Sequence, residues 1–417
     1  MGGAGYGELL RTPHAARLLG GTLLGRLPNA MAALAVLLFL RDEGAGYGLA
    51  GGLSAVYGCA VAVGQPLLGR AVDKRGQPRV MAGAALLSAA GFALLAATGP
   101  DPLPLAVAAV VLAGVATPPL EGGLRALWPG VLGDSPERVQ QAYALDAAAQ
   151  EVMFVVGPLL VTLLVAAASQ AAALVATGLL GVAGTLVVVT SPPSRRWRAA
   201  GREAHWLGAL RSPRLAVLLG AFFFLGIALG ALAPAAVAYG DAHGGGATAS
   251  YVLAVNGLGA LAGGVTYGSR NWPGTPELRL RVLAVALACC YVPLLLAPGL
   301  PGMLPLAALS GFFLAPALAC GFVVVDRHAP AGTVTEAFSW VVTAVGVGGA
   351  LGTAAAGAAA QRGGAAAGFA VTAAGCAVAT AVLLATGGFL TAANLETRPE
   401  KDPNRAVEPR FSSTHQA

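Results

Sequence analysis

The sequence predicts an all-α membrane protein with twelve membrane-crossing helices in two pseudo-symmetric six-helix bundles. Three observations lead there. Of the 417 residues, 56% are hydrophobic and 11% charged, where soluble domains carry about 25% charged residues. So few charges cannot furnish the polar shell of a soluble globule this long, and so much apolar content excludes intrinsic disorder. Twelve apolar runs reach the roughly 20 residues that a crossing helix needs. Lys and Arg crowd into every second loop and are nearly absent from the others.

The first six runs fall at about 18–40, 47–69, 80–98, 103–124, 140–168 and 171–190. The second six fall at about 214–239, 249–268, 280–298, 302–325, 334–360 and 366–390. Their helical periodicity is weak because most faces are apolar, as helices in lipid require. Ser135-Pro136 opens the fifth as an N-cap followed by a first-turn proline. The resulting helix over 136–168 is about 50 Å long, more than the membrane, so its first turns stand in the cytoplasm. Thr333-Val-Thr-Glu336 opens the eleventh as a capping box.

Between the sixth and seventh runs lies the longest interior polar stretch, Ser191 to Arg214, with Pro192-Pro193 and six Arg. The chain therefore reads as an N-terminal segment 1–16, a bundle 17–190, a linker 191–213, a second bundle 214–390 and a polar, disordered tail 391–417. The spans at Arg17 and Arg214 begin 197 residues apart, and Gly114 and Pro119 recur at that offset as Gly311 and Pro316.

Placing the N-terminus in the cytoplasm puts 22 of the 25 basic residues in inside segments. Arg41 and Arg362 fall in outside loops and Arg26 within a span. This orientation expects a multi-pass protein of the plasma membrane, monomeric, with both termini cytoplasmic and the lipid bilayer as its surroundings. The net charge of +6 then reports topology and not nucleic-acid binding. The five Cys lie in apolar segments without zinc spacing and read as small buried hydrophobes, so neither a metal nor another cofactor is expected. No Gly-x4-Gly-Lys-(Ser/Thr) is present, so no ATPase is built in. The scarcity of Lys beside abundant Ala and Gly is the composition of a GC-rich genome, such as an actinobacterial one.

Arg26 is the most telling single residue. Were it outside the bilayer, span one would shrink to Leu27–Leu40, about 21 Å of helix against a hydrocarbon core of roughly 30 Å. A charge inside a span faces a cavity or a partner, or snorkels to the interface. Pro28 and Asn29 follow it, and proline loosens the helix ladder as in broken transporter helices. Two acids in span five are candidate partners. Asp146 falls at the interface by its depth along the helix, and Glu151 just within the core. Five residues apart, they do not share a face. Glu151 either pairs with Arg26, or binds a proton or cationic substrate, or both acids are cytoplasmic-edge charges. Gln150, Asn256 and Trp340 are further polar groups within spans that line a pore or pack helices. Glu121 and Arg125 stand four apart at the inner end of span four, in the order favourable for a helix pair. Glu336 either completes its capping box or contacts the opposite half as a gate.

The loop after span two reads Gly69-Arg-Ala-Val-Asp73-Lys74-Arg75-Gly76-Gln-Pro-Arg79. Gly69 allows close helix approach and Gly76 a tight turn, while Asp73 among three basic residues stays ionised and can lock neighbouring helix ends. This loop resembles the signature of the major facilitator superfamily, matching at Gly69, Asp73, Lys74 and Gly76 and departing at Gln77 and Pro78. Twelve spans in two halves and a basic central loop resemble the same superfamily, whose fold the chain is expected to share across 17–390. The resemblance implies that the loop gates the inward-facing change. Gly157-Pro158 in span five resembles the Gly-Pro of the superfamily's drug/proton antiporters, without their trailing glycines. The Arg that many such exporters carry inside span four is missing from 103–120.

The function expected is therefore secondary active transport of a small molecule by alternating access, as proton-coupled efflux of a drug or metabolite. An importer or uniporter of a small solute, the permease subunit of a larger complex, and a membrane-embedded transferase are the alternatives. The transferase is disfavoured because such enzymes cluster acids for Mg²⁺, and here the acids are dispersed.

Overall fold

The computed structural model describes residues 6–133, 135–199, 207–243, 246–270 and 272–391, without the side chains at 47, 151, 154, 155, 246, 247 and 391. The expected tail, the first five residues and part of the central linker lie outside the described residues, as does the side chain of Glu151.

The described residues form helices and turns, with no strand among them. A short α1 (Tyr6–Arg11) precedes α2 (Ala15–Asp42), α3 (Tyr47–Arg75) and α4 (Gln77–Thr98). Then come α5 (Leu103–Val115), α6 (Leu120–Leu132), α7 (Pro136–Ala167), α8 (Gln170–Val189) and the linker helix α9 (Pro192–Arg196). After a 3₁₀ turn at Gly208–Arg211 follow α10 (Pro213–Ala242), α11 (Gly246–Gly268), α12 (Pro276–Tyr291), α13 (Leu300–His328), α14 (Val334–Ala385) and α15 (Gly387–Thr391). Side-chain caps start several of these helices. Ser135, Ser169, Ser212 and Thr275 accept the amides of Arg138, Ala172, Leu215 and Leu278, satisfying donors that a helix start leaves free.

Ten spans among the described residues are long and apolar enough to cross a membrane. Two features reconcile ten with twelve. At 52 residues, α14 would measure about 78 Å, more than twice the hydrocarbon core. It breaks at Gly363 and Gly364, the latter with φ +66, so it is two crossings with Arg362 at their tip. The twelfth crossing is α7, whose apolar stretch runs from Val152 to its end at Ala167, after a first half that carries Asp146, Gln150 and Glu151. Span four also differs from expectation. It runs on to Leu132, interrupted after Val115 where Pro118 and Pro119 cannot donate to the helix ladder. Arg125 therefore lies inside the span and not at its end.

Helices α2–α8 form one half and α10–α14 the other. In the first, α2 packs on α8 and α3 on α5; in the second, α10 packs on α14 and α11 on α13. The two halves meet where α3 and α6 face α14 and where α7 faces α11 and α13. Gly114 and Gly311 occupy matching places in these packings. A β-carbon on Gly114 would lie 2.7 Å from the Tyr57 carbonyl of α3, and one on Gly311 would collide with the Asn256 carbonyl of α11. The prolines of the repeat diverge: Pro119 caps the break before α6, whereas α13 runs unbroken through Pro316.

Gly311→Val should force α11 and α13 apart and destabilise the protein by about 1–3 kcal/mol. Gly220→Ala, where an added carbon meets nothing within 4 Å, should stay within about 0.5 kcal/mol. Thermal melting of the two variants in detergent checks the contrast.

Candidate functional site

Two adjoining constructions stand out where the halves meet. The first is a buried charge cluster in the first half. Arg26 of α2 donates from Nη1 to Asp146 Oδ1 at 2.7 Å and from Nη2 to Gln150 Oε1 at 2.9 Å. The same Nη2 lies 3.0 Å from Glu121 Oε2. Arg125 of α6 donates from Nε to Asp146 Oδ2 at 2.9 Å, and its Nη2 lies 2.6 Å from Glu121 Oε1. Two guanidinium groups thus face two carboxylates, and the formal charge of the cluster is zero. Arg125 and Asp146 are fully buried, with Arg26 at 4% and Glu121 at 9% exposure. Burying ions is expensive, and only close pairing with further hydrogen bonds offsets the lost hydration.

Local structure places these groups. The break before Leu120 lets α6 begin there, which sets Glu121 in its first turn, where a carboxylate favours the helix dipole. Arg125 follows one turn later on the same face. On α7, Asp146 and Gln150 are likewise four apart, so both reach Arg26. The partners of Arg26 among the described residues are therefore Asp146, Gln150 and Glu121. Asp146 is fully enclosed, because α2, α6 and α13 pack around this part of α7.

The cluster does not end at its own half. Arg125 Nη1 makes no hydrogen bond. Instead the guanidinium carbon stands 3.5 Å from the centre of the Phe322 ring of α13 and 5.2 Å from that of Phe338 of α14. Tyr143 of α7 packs edge-on against both rings. These aromatic residues carry no sequence pattern distinguishing them from core, and sequence reasoning missed them.

The second construction closes the face on which the Asp73 loop lies, here called the basic face. Asp73, at the end of α3, accepts the amide of Thr335 at 3.2 Å and that of Glu336 at 2.8 Å. It thereby caps α14 from the opposite half. The capping box expected at Thr333 does not form: Thr333 Oγ1 donates to the Pro330 carbonyl, and Glu336 Oε1 accepts the linker amide of Ala209 at 3.2 Å. A carboxylate at a helix start outcompetes a neutral hydroxyl for the same free amides. Gly69 leaves room for this docking, since a β-carbon there would lie 3.0 Å from the Thr335 carbonyl. Gly76 turns the chain with φ +85. Lys74, Arg75 and Arg79 are exposed and take no part in the lock.

Other bridges reinforce this face. Arg279 of α12 donates to Gln140 of α7 at 2.7 Å. Tyr6 of α1 donates to the Gly264 carbonyl of α11 at 3.0 Å while Glu8 pairs with Arg138 of α7. The linker latches back as well: Ser194 donates to Gln77, Gln77 to the Gly123 carbonyl and Trp197 to the Ala126 carbonyl.

The remaining candidates fall apart from these two constructions. Asn29 is exposed. Asn256 donates to the Ala307 carbonyl and to Ser310, so it packs α11 on α13. Trp340 lines a cavity of about 350 Å³ between α10 and α14, with Thr343 and Val347 beside it. Gly157 brings α7 against Ala30 of α2, and α7 continues as helix through Pro158.

Fold and site define a polytopic helical membrane protein whose two like halves lock together at one face beside a buried ionic cluster. A family model described as Major Facilitator Superfamily matches residues 18–304, and the chain belongs to that family of membrane transporters. Comparison with curated proteins finds no match. Among solved structures, the human organic anion transporter MFSD10 (TETRAN) is similar at 17% identity and a TM-score of 0.67, over 88% of this chain and 99% of that one. A variant of the E. coli fucose:proton symporter FucP is similar at 15% identity and TM-score 0.66, over 90% and 98%. A bacterial homologue of the iron transporter ferroportin, in an outward-facing state, is similar at 16% identity and TM-score 0.65, over 89% and 98%.

Asp146→Asn should leave both Arg26 and Arg125 short of a counter-ion and cost about 3–5 kcal/mol. The double variant Asp146→Asn with Arg26→Gln restores neutrality and should recover part of that loss. Denaturation of the two proteins in detergent tests the order.

Proposed function

We propose that this protein is a secondary active transporter working by alternating access, expelling a small organic molecule in exchange for protons. One observation carries the alternating-access reading: Asp73 in the first half caps a helix of the second. A lock made of two charge-assisted hydrogen bonds between otherwise separate bundles is reversible, as a rocking mechanism demands. The outward-facing state named for the ferroportin homologue agrees with a basic face that is shut.

The chain's bundles are 17–190 and 214–390, joined by the 191–213 linker. The basic face is cytoplasmic, in keeping with the distribution of Lys and Arg, and the protein sits in the plasma membrane as a monomer with both termini inside. The neutral cluster of Arg26, Glu121, Arg125 and Asp146 supports proton coupling. Uptake of one proton there unbalances the charge, and an unbalanced buried charge drives rearrangement. Gly157-Pro158 supports export over import. The symporter and the organic anion transporter among the similar folds set the alternative, import of a small solute.

Purified protein in liposomes should drive flux down a pH gradient without ATP or a partner, and a deletion strain should become sensitive to toxic organic compounds. Products without flux would identify an enzyme, and unchanged resistance with lost uptake an importer. Asp73→Asn should weaken the closed basic face by about 2 kcal/mol. That shifts the conformational equilibrium about thirtyfold and slows transport while leaving the protein folded; initial rates and melting measured together check this.

A further inference from the structure

Arg125 belongs to two structures at once. Its edge is held by Glu121 and Asp146 of its own half, and its face lies on Phe322 of the other. The 197-residue offset that pairs Gly114 with Gly311 also carries Arg125 onto Phe322. Positions related by a twofold axis touch each other only close to that axis. The contact therefore sits on the pseudo-twofold axis between the halves, near the Asp73 lock: Gly122, three residues before Arg125, abuts the Thr335 carbonyl that heads α14. The repeat has placed a cation at this position in one half and an aromatic ring in the other, and a guanidinium and a ring face attract.

Resting on the transporter reading, we propose that the Arg125–Phe322 contact transmits the ionisation of Glu121 and Asp146 to the seam between the halves. With both acids ionised the cluster is neutral, Arg125 is pinned, and Phe322 and Phe338 seal against it. A proton added to either carboxylate neutralises one anchor of Arg125 and leaves the cluster at net +1. That excess charge lies against the Phe322 and Phe338 rings. It must be hydrated, and the seam at Phe322 and Phe338 is where water enters when the halves part. Among the described residues, the charged and titratable groups facing the pair are Arg26 from α2, Arg125 from α6, Tyr143 from α7 and Asp326 from α13, which acts on Tyr143. From α14 the facing groups are the rings of Phe338 and, beyond it, the Asp73-bound start of the helix. Phe322 is thus a positioning residue, and its role differs from packing in one respect: an aromatic face is required, not merely volume.

The test measures the distance between the two halves at the basic face. Nitroxide labels go on Glu137→Cys of α7 and Ser269→Cys after α11, both exposed, in a full-length protein without native cysteines, reconstituted in nanodiscs. The unaltered pair should show mainly the short distance at pH 8 and gain a longer one as pH falls to 5. Phe322→Leu should raise the long-distance population at pH 8 about two- to fivefold and flatten the pH response. Arg125→Lys, which keeps the charge but loses the flat face, should act in the same direction. Phe322→Trp should restore the parental profile. If Phe322→Leu and Arg125→Lys both keep the parental distances at every pH while Asp73→Asn lengthens them, the contact does not transmit and the inference is wrong. If neither pH nor Asp73→Asn moves the distances, the halves do not rock, and the inference falls together with the transporter reading.

Discussion

The structure depends on one balance: two arginines and two carboxylates buried together where α2, α6 and α7 meet. None of the four is tolerable alone in a dry helical bundle. Removing any one leaves an uncompensated charge, whose cost of several kcal/mol is a large part of the stability of an ordinary fold. Together they fix how three helices of the first half sit on one another, because Asp146 and Glu121 each hold Arg26 on one oxygen and Arg125 on the other. The break before α6 is part of the same arrangement. It brings Glu121 into a first helical turn and leaves Arg125 able to reach both Asp146 and the opposite half.

The second half meets this cluster differently. It offers Phe322 and Phe338 to Arg125 and the start of α14 to Asp73. An ionic half thus meets an aromatic, amide-bearing half. Such a seam holds through cation–ring contact and charge-assisted capping, interactions that are strong when the face is dry and readily exchanged for water when it opens. The short α1 reaches α11 at this face, and the linker, held to the first half by Ser194 and Trp197, reaches Glu336 of α14 through the amide of Ala209. Elsewhere the bundles hold by small residues: the carbonyls of one helix lie where a side chain of the next would be, at Gly114 and Gly311, as helix association in lipid favours.

Much of the fold is legible in the sequence. Twelve crossings, their division into halves and the turn at Gly76 follow from run lengths, charge alternation and glycine placement, all of them local or averaged properties. Gly311 matches Gly114 because close packing leaves no room for a β-carbon at either. Sequence pattern and structure diverge where two local signals compete. Thr333-x-x-Glu336 is a sound capping box by pattern, but a carboxylate 260 residues away in the chain arrives at the same amides and binds them better. The apolar run of span four ends by composition near Arg125, yet the helix continues because that arginine is neutralised by groups on other helices.

The sequence by itself determined which segments are long and apolar enough to cross a membrane, and that a charge at Arg26 calls for a partner or an exit to the interface, since those are consequences of hydrophobicity and of the cost of an unpaired ion. Only the tertiary structure decided that Arg26 meets Asp146 and Glu121 together, that Arg125 joins them, and that Phe322 and the start of α14 complete the seam. Pairings between residues far apart in the chain depend on which helix faces touch. In a chain whose faces are nearly all apolar, periodicity does not reveal which face turns inward.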